Sequence, residues 1–279
     1  GAVPGNHRAL WRRVRINLAG HWTCGAMNIT VILPAAGMSS RFGSDKLSSD
    51  LGGRPLLVRT VEAFTRRSEV QQIIVAGPAG DAFEAFQDRF AAVLGFHGVL
   101  LVKGGERDRW ETVSLALQHV ADDATHIAIH DAARPCLNTA LLDRVFEAAA
   151  SLDAVIPGVE VSSTLKEIDR QAAWNVAEAD LLVDSILGDE ASPRLEACPV
   201  LRTVPRDGLV AAQTPQVFIR SLILEAYASV EAQGTTDDAS VVERFGASVH
   251  VVRGDSTNIK VTEAGDLQLA EAIVRLNIP

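Results

Sequence analysis

Two cations, Arg41 and Lys46, follow an apolar run that ends in small residues: Val31–Leu33 gives way to Pro34, Ala35, Ala36 and Gly37. Small residues at a strand end let a ligand approach the backbone closely. Backbone N–H groups can then bind anionic oxygens while the two cations supply charge, which is the chemistry of a phosphate-handling loop and suits a nucleoside triphosphate. Two common loops of this kind are excluded by spacing. A dinucleotide fingerprint needs G-x-G-x-x-G, but the next glycine after Gly37 is Gly43; a Walker A loop needs Gly-Lys-Ser/Thr, but Ser44 and Asp45 separate Gly43 from Lys46. Taken alone, the segment could also be an ordinary strand-to-helix turn with solvated cations.

Three further segments carry candidate chemistry. Asp131 and Arg134 follow His130 and bracket Ala132 and Ala133. A carboxylate there can hold a ligand hydroxyl or a metal and a guanidinium can take a phosphate, over a low alanine floor; equally, the two could cap a helix and pair with each other. Gly104 and Gly105 lead into Arg107, Arg109 and Thr112, which is either a close-approach loop or a tight turn with a charged helix start. Lys260 follows Gly254, Asp255, Asn258 and Ile259, and by itself reads as surface charge. Weight comes from the conjunction.

These segments need a scaffold, and the apolar periodicity supplies one. Strand-length runs recur at Thr30–Leu33, Gln72–Ala76, Val99–Val102, His126–Ile129, Ala154–Ile156 and Ser248–Val252. Amphipathic stretches of helical length lie between most of them, at Pro55–Arg67, Asp81–Leu94, Arg109–Ala121 and Thr139–Ser151. Such alternation predicts an α/β fold with a mostly parallel sheet and helices on both faces. Ligands bind such sheets beyond the carboxyl ends of the strands, where residues 34–46, 104–109, 130–135 and 254–260 all fall, so one cleft is expected. The alternation fails at about 161–212, where Pro193, Pro199 and Pro205 interrupt any helix; this reads as an arm or insertion, with residues 178–196 a solvated acidic surface. Residues 1–26 are basic and irregular, with Arg8, Arg12, Arg13 and Arg15, and read as a leader outside a single domain at 27–279.

Composition narrows the function classes. A chain of 279 residues with 47% hydrophobic content can fill a large core. The net charge of −9 argues against nucleic-acid binding, so clustered cations are expected to serve a small anion. No apolar stretch reaches the length of a membrane span, and no membrane partner is expected. Cys24, Cys136 and Cys198 have neither disulfide-framework nor zinc-ligand spacing, which fits a reducing cytoplasm.

In this order and combination the segments resemble the 2-C-methyl-D-erythritol 4-phosphate cytidylyltransferases of the non-mevalonate isoprenoid pathway. The matching pieces are Pro34–Gly37 with Arg41 and Lys46, Gly104–Gly105 with Arg109–Val113, His130–Pro135, Thr164–Lys166, Gln213–Gln216, Thr236–Asp238 and Asn258–Lys260. Departures are Ser39 in place of a second glycine, Asp45 and Leu47 in place of the proline and glutamine around Lys46, Ser163 in place of an acid, and a longer stretch between Lys166 and Arg206.

The resemblance implies a Rossmann-like nucleotidyltransferase sheet with a projecting dimerisation arm. It also implies attack by a polyol phosphate on the α-phosphate of CTP, with Mg²⁺ or another divalent cation as cofactor. Arg41, Lys46 and Lys260 would be catalytic; Pro34, Ala35, Ala36, Gly37, Gly104, Gly105, Arg109 and Thr112 would bind CTP, although Thr112 also suits a helix-start hydroxyl. Asp131, Arg134, Thr214 and Thr236 would bind the sugar phosphate, with Thr164 and Arg206 supplied by the partner of a homodimer. Metal ligands stay unassigned, Asp131 being a candidate beside the phosphate oxygens. A ribitol 5-phosphate cytidylyltransferase and a non-catalytic CTP-binding regulatory protein are the competing readings.

Overall fold

Residues on β1 (Ile29–Pro34) are buried on both sides because helices cover both faces of the sheet it centres. The structure, a computed structural model, describes residues 27–37, 45–172, 174–175, 196–229 and 234–277. After β1 come α1 (Leu56–Thr65), β2 (Val70–Gly77), α2 (Ala82–Phe96), β3 (Leu100–Lys103), α3 (Arg109–Leu117), β4 (His126–Ile129), α4 (Thr139–Ala149) and β5 (Ala154–Glu160). β1 lies between β2 and β4, parallel to both, and β3 is parallel to β2. Ile29, Val31 and Leu33 pack with Val61 and Phe64 of α1, Phe90 of α2 and Val145 of α4. Ile32, with Ile74 and Val102, packs on the opposite face against Val113 and Leu117 of α3. Each such fully buried side chain contributes about 1.5–3 kcal/mol, so the alternation fixes which face each helix takes.

The expected mostly parallel sheet is observed, with an antiparallel insertion that periodicity did not reveal. β10 (Val210–Ala212) and β11 (Gln216–Ile219) run antiparallel to β5, and β11 also pairs antiparallel with β4, so it separates them. β12 (His250–Arg253) is parallel to β5 on its other edge, since Val155 pairs with both Val217 and His250. The result is an eight-stranded sheet. Three helices complete the described fold, α5 (Arg220–Ser229), α6 (Asp238–Arg244) and α7 (Ala264–Asn277).

Between β5 and β10 the chain leaves the sheet. β6 (Leu165–Ile168) pairs antiparallel with β9 (Val200–Val204), and β7 (Trp174–Asn175) with β8 (Glu196–Ala197), as two small separate sheets. Because Val210–Ala212 rejoins β5, the excursion spans residues 161–209. Residues 1–26 and most of the acidic stretch 178–196 lie outside the described residues. Among the described residues no helix is long and apolar enough to cross a membrane.

Candidate active site

Beyond the carboxyl ends of β1, β3 and β4 lies a cavity of about 370 Å³, lined among others by Pro34, Ala35, Ala36, Gly37, Lys46, Gly105, Arg109, Thr112, Asp131 and Lys260. Segments expected to share one cleft therefore do so, across 226 positions from Pro34 to Lys260. The glycine pair forms one wall. Gly104 donates its N–H to Gly77 O at 3.0 Å, and a Cβ there would lie 2.3 Å from that oxygen and 2.9 Å from Thr112 Cγ2. Only glycine fits so close to the backbone at the end of β2. Gly105 donates to Thr112 Oγ1 at 3.1 Å, so this buried hydroxyl fixes the wall's backbone. Among the described residues nothing lies within 4 Å of a Cβ built on Gly37.

Asp131 organises the cations. Its carboxylate lies 3.0 Å from Lys260 Nζ, 3.3 Å from Arg134 Nε and 3.4 Å from Arg109 Nε. Burial pushes the carboxyl up, but Arg109, Lys260 and Arg134 outweigh it and hold it well below the usual carboxylate range. Lys46 Nζ donates to Val261 O at 3.3 Å, while Val261 N donates to Ala133 O at 2.8 Å. These contacts lay the strand-end segment carrying Lys260 against the loop carrying Asp131. Lys46 itself opens a short 3-10 turn whose cap, Asp45, accepts from Leu47 N and pairs with Arg89 of α2. Arg41 lies outside the described residues.

Behind this wall His130, Gln213, Thr214, Gln216 and Asn258, which the sequence offers only as matching segments with Thr214 as a substrate contact, form a polar bracket. His130 is fully buried, and burial lowers its imidazole to about 4. Its Nε2 is 3.1 Å from Arg134 O and its Nδ1 is 2.8 Å from Thr214 Oγ1. A carbonyl can only accept, so Nε2 carries the proton and Nδ1 accepts from Thr214; Thr214 Oγ1 in turn accepts from Asp131 N at 3.1 Å. Gln213 Nε2 donates to Asp255 O at 2.8 Å and its Oε1 accepts from Asp255 N at 3.0 Å, pinning the loop before Lys260. Asn258 Nδ2 donates to Thr214 O, and Arg134 Nη1 donates to Asn258 O, each at 2.8 Å. Gln216 Nε2 donates to Asp237 Oδ2 at 2.7 Å, and its Oε1 accepts from Ala239 N, fixing the start of α6. Glutamines flanking Thr214 and Pro215 at the head of an apolar strand were the available signal, because buried polar side chains need partners.

The remaining sequence candidates are placed apart. Thr214 is 5% exposed and sits behind Asp131, not on the cavity wall. Thr236 is exposed just before α6. Thr164 and Arg206 lie on the excursion outside the cavity; Arg206 donates to Ser162 O and lines a second hollow with Glu160, Leu209 and Val210. Among the described residues no group of three or more His, Cys, Asp or Glu could hold a metal ion. Glu106, Asp108 and Asp131 are the carboxylates on the cavity wall.

Sequence comparison supplies the family. The family model described as 2-C-methyl-D-erythritol 4-phosphate cytidylyltransferase matches residues 29–185 and 189–276. A protein of that name from Frankia casuarinae is 40% identical, with 88% of this chain and 81% of the relative covered. Another from Rhodopirellula baltica is 36% identical, with 89% and 96% covered. The crystal structure of the Thermus thermophilus 2-C-methyl-D-erythritol 4-phosphate cytidylyltransferase superimposes with a TM-score of 0.66 at 30% identity, over 89% of this chain and all of that one. The glycine wall, the clustered cations and the inserted antiparallel strand β11 thus occur in a chain matched along almost its whole described length, and this chain belongs to the 2-C-methyl-D-erythritol 4-phosphate cytidylyltransferase family.

Proposed function

We infer that this protein transfers CMP from CTP to 2-C-methyl-D-erythritol 4-phosphate, releasing pyrophosphate. The observation carrying the reading is the cavity itself, where Lys46, Arg109 and Lys260 meet over a floor of backbone and alanine. A phosphate monoester has its second pKa near 6, so at neutral pH the nucleophile is already largely dianionic and needs no general base. One of its oxygens forms a bond to the α-phosphorus while the bond from that phosphorus to the β-phosphate bridging oxygen breaks, and the electron pair leaves with pyrophosphate. The barrier is mutual repulsion of two polyanions. Fixed cations lower it by stabilising charge that grows on the phosphates.

In this reading Lys46 and Arg41 grip the triphosphate and stabilise the leaving pyrophosphate, while Lys260 reaches the α-phosphate. Pro34, Ala35, Ala36, Gly37, Gly104 and Gly105 present backbone groups to the base: Ala36 and Gly37 can donate, whereas Ala35, Gly104 and Gly105, whose N–H groups are taken by Ala76 O, Gly77 O and Thr112 Oγ1, can offer only carbonyls. Thr112 lines the cavity and holds Gly105 in place, while Thr214 holds Asp131 from behind the contact surface. Asp131 and Arg134 orient the sugar phosphate, with Thr236 at the same end. A divalent cation such as Mg²⁺, carried on the triphosphate and within reach of Asp131, would neutralise phosphate charge.

Thr164 and Arg206 are exposed on the excursion, and the exposed Val200, Leu201, Leu209 and Val210 nearby favour burial against a second copy. The arm then pairs two protomers and each supplies Thr164 and Arg206 to its partner; sedimentation as a monomer at assay concentration would remove that element. Nucleotide chemistry and the free Cys136 and Cys198 fit a cytoplasmic setting.

The test is pyrophosphate release from CTP and Mg²⁺ with either 2-C-methyl-D-erythritol 4-phosphate or ribitol 5-phosphate. Release with the former alone supports the reading. Release with ribitol 5-phosphate alone overturns the acceptor and keeps the triphosphate chemistry, and CTP binding without release from either would make this a binding protein.

A further inference from the structure

Arg109 is held from behind the cleft as well as from within it. Asp238, the first residue of α6, is completely buried, and its two carboxylate oxygens each receive one donor: Arg109 Nη2 at 2.7 Å and Tyr227 Oη at 2.7 Å. On the cleft side the same guanidinium reaches Asp131 only loosely, at 3.4 Å through Nε. The base of this contact is rigid. Asp237 caps α6 through a reciprocal pair with Ser240, Gln216 of β11 pins both Asp237 and Ala239, and a carboxylate in the first turn of a helix is favoured by the helix dipole.

Geometry at Asp131 says what this support is for. Three cations converge on one carboxylate, with Lys260 and Arg134 on Oδ2 and Arg109 on Oδ1. Without a second anion, Arg109 would be drawn fully onto Asp131, away from the cavity wall it lines and in competition with Lys260. We propose that Asp238, backed by Tyr227, is a positioning residue for nucleotide transfer: it holds Arg109 at the cavity wall and so leaves Asp131 to Lys260 and Arg134. The proposal rests on the reading of this cavity as the CTP site. A tie serving only to join α6 to α3 would not need to share its guanidinium with the cleft carboxylate, and buried ion pairs are in any case poor sources of net stability.

The experiment measures CTP kinetics and thermal unfolding for Asp238→Asn and Tyr227→Phe, and repeats Asp238→Asn in an Arg109→Met background. Asp238→Asn should raise the CTP KM and lower kcat together, for a loss on the order of 10- to 100-fold in kcat/KM, because displacing a binding group by about 1 Å has effects of that size. Tyr227→Phe should act in the same direction but more weakly, since the carboxylate remains. In the Arg109→Met background Asp238→Asn should cost less than about twofold, because its partner is already gone, and should raise Tm by removing an unpaired buried carboxylate. A Tm change with unaltered CTP kinetics would overturn the proposal, as would an equal penalty in both backgrounds. Should Asp238→Asn not fold, Asp238→Glu and Tyr227→Phe serve the same comparison, and unaltered CTP kinetics in both would overturn the proposal. A wild-type protein inactive with CTP sinks the nucleotide reading and this proposal together, whereas an active wild type with an indifferent Asp238→Asn sinks the positioning role alone.

Discussion

Acid should unfold this protein through His130. The ring is fully buried, and its imidazole is lowered from 6.5 to about 4, with burial as the largest cause. Between those values the unfolded chain binds a proton that the folded chain refuses, so the contribution is intact above pH 6.5 and is lost as pH falls towards 4. At 1.36 kcal/mol per pH unit the loss reaches about 3 kcal/mol, a large share of the roughly 5–15 kcal/mol that holds a domain folded. The assay is urea unfolding followed by circular dichroism at steps from about pH 7.5 down to about pH 4.5, with His130→Gln as the comparator. Glutamine keeps a donor for Arg134 O but does not titrate, so the variant starts less stable and then loses less between pH 6.5 and 4.5. Asp131, whose carboxyl is held low, adds acid sensitivity only as pH falls below about 3.8, and it does so in both proteins. Parallel pH profiles for wild type and His130→Gln would refute the reasoning, because no other difference between them titrates in this window.

Replacing Lys46 or Lys260 by alanine should lower kcat on the order of 10²-fold or more with an unchanged fold, checked by pyrophosphate release alongside circular dichroism. Gly104→Ala should destabilise by about 1–3 kcal/mol and weaken CTP binding, since the new Cβ would lie 2.3 Å from Gly77 O, a backbone atom that cannot swing away; denaturant midpoints and CTP titration measure the two effects.

Much of the scaffold was legible because its signal is local. The parallel strands from Ile29 to Ile129 are apolar runs separated by helices, with β1, the second half of β2 and β4 buried on both faces, and each glycine or alanine of the floor follows such a run. β11 escaped this logic. Its apolar part is Val217–Ile219, preceded by Pro215, and nothing in periodicity says that a short late run will enter between β4 and β5. The tie of Asp238 and Tyr227 to Arg109 escaped for a related reason: Asp238 enters the sequence reading only as part of the Thr236–Asp238 match and meets Arg109 from 129 positions away, and Tyr227, which bonds Asp238, looks on an amphipathic helix like any partly buried aromatic. The candidate site was legible as a set of residue types, but the division between contact and support was not. Thr112 and Thr214 carry hydroxyls that could serve a ligand equally well on paper, and only burial and their bonds to Gly105 and Asp131 show what they hold.

A carboxylate at the centre of a cleft for polyanions looks misplaced until the charges around it are counted. Asp131 is over-compensated by Lys260, Arg134 and Arg109, so the cluster presents net positive charge even with its carboxylate ionised. Without the carboxylate, three like charges within a few ångströms would repel, and each would relax towards solvent along its own long side chain. With it, they are held together before any substrate arrives. In the proposed reaction an α-phosphate that took Lys260 would leave Asp131 paired with Arg134 at 3.3 Å and more loosely with Arg109 at 3.4 Å, so the exchange would not strand a buried charge. That is the condition under which a lysine can pass from a carboxylate to a phosphate without a large penalty. Arginine suits the two positions fixed to the protein, because its planar fork can hold two partners at once, Asp131 and Asp238 for Arg109 and Asp131 and the Asn258 carbonyl for Arg134; lysine, a single point charge on a flexible stem, suits the position that would pass to phosphate in the proposed reaction.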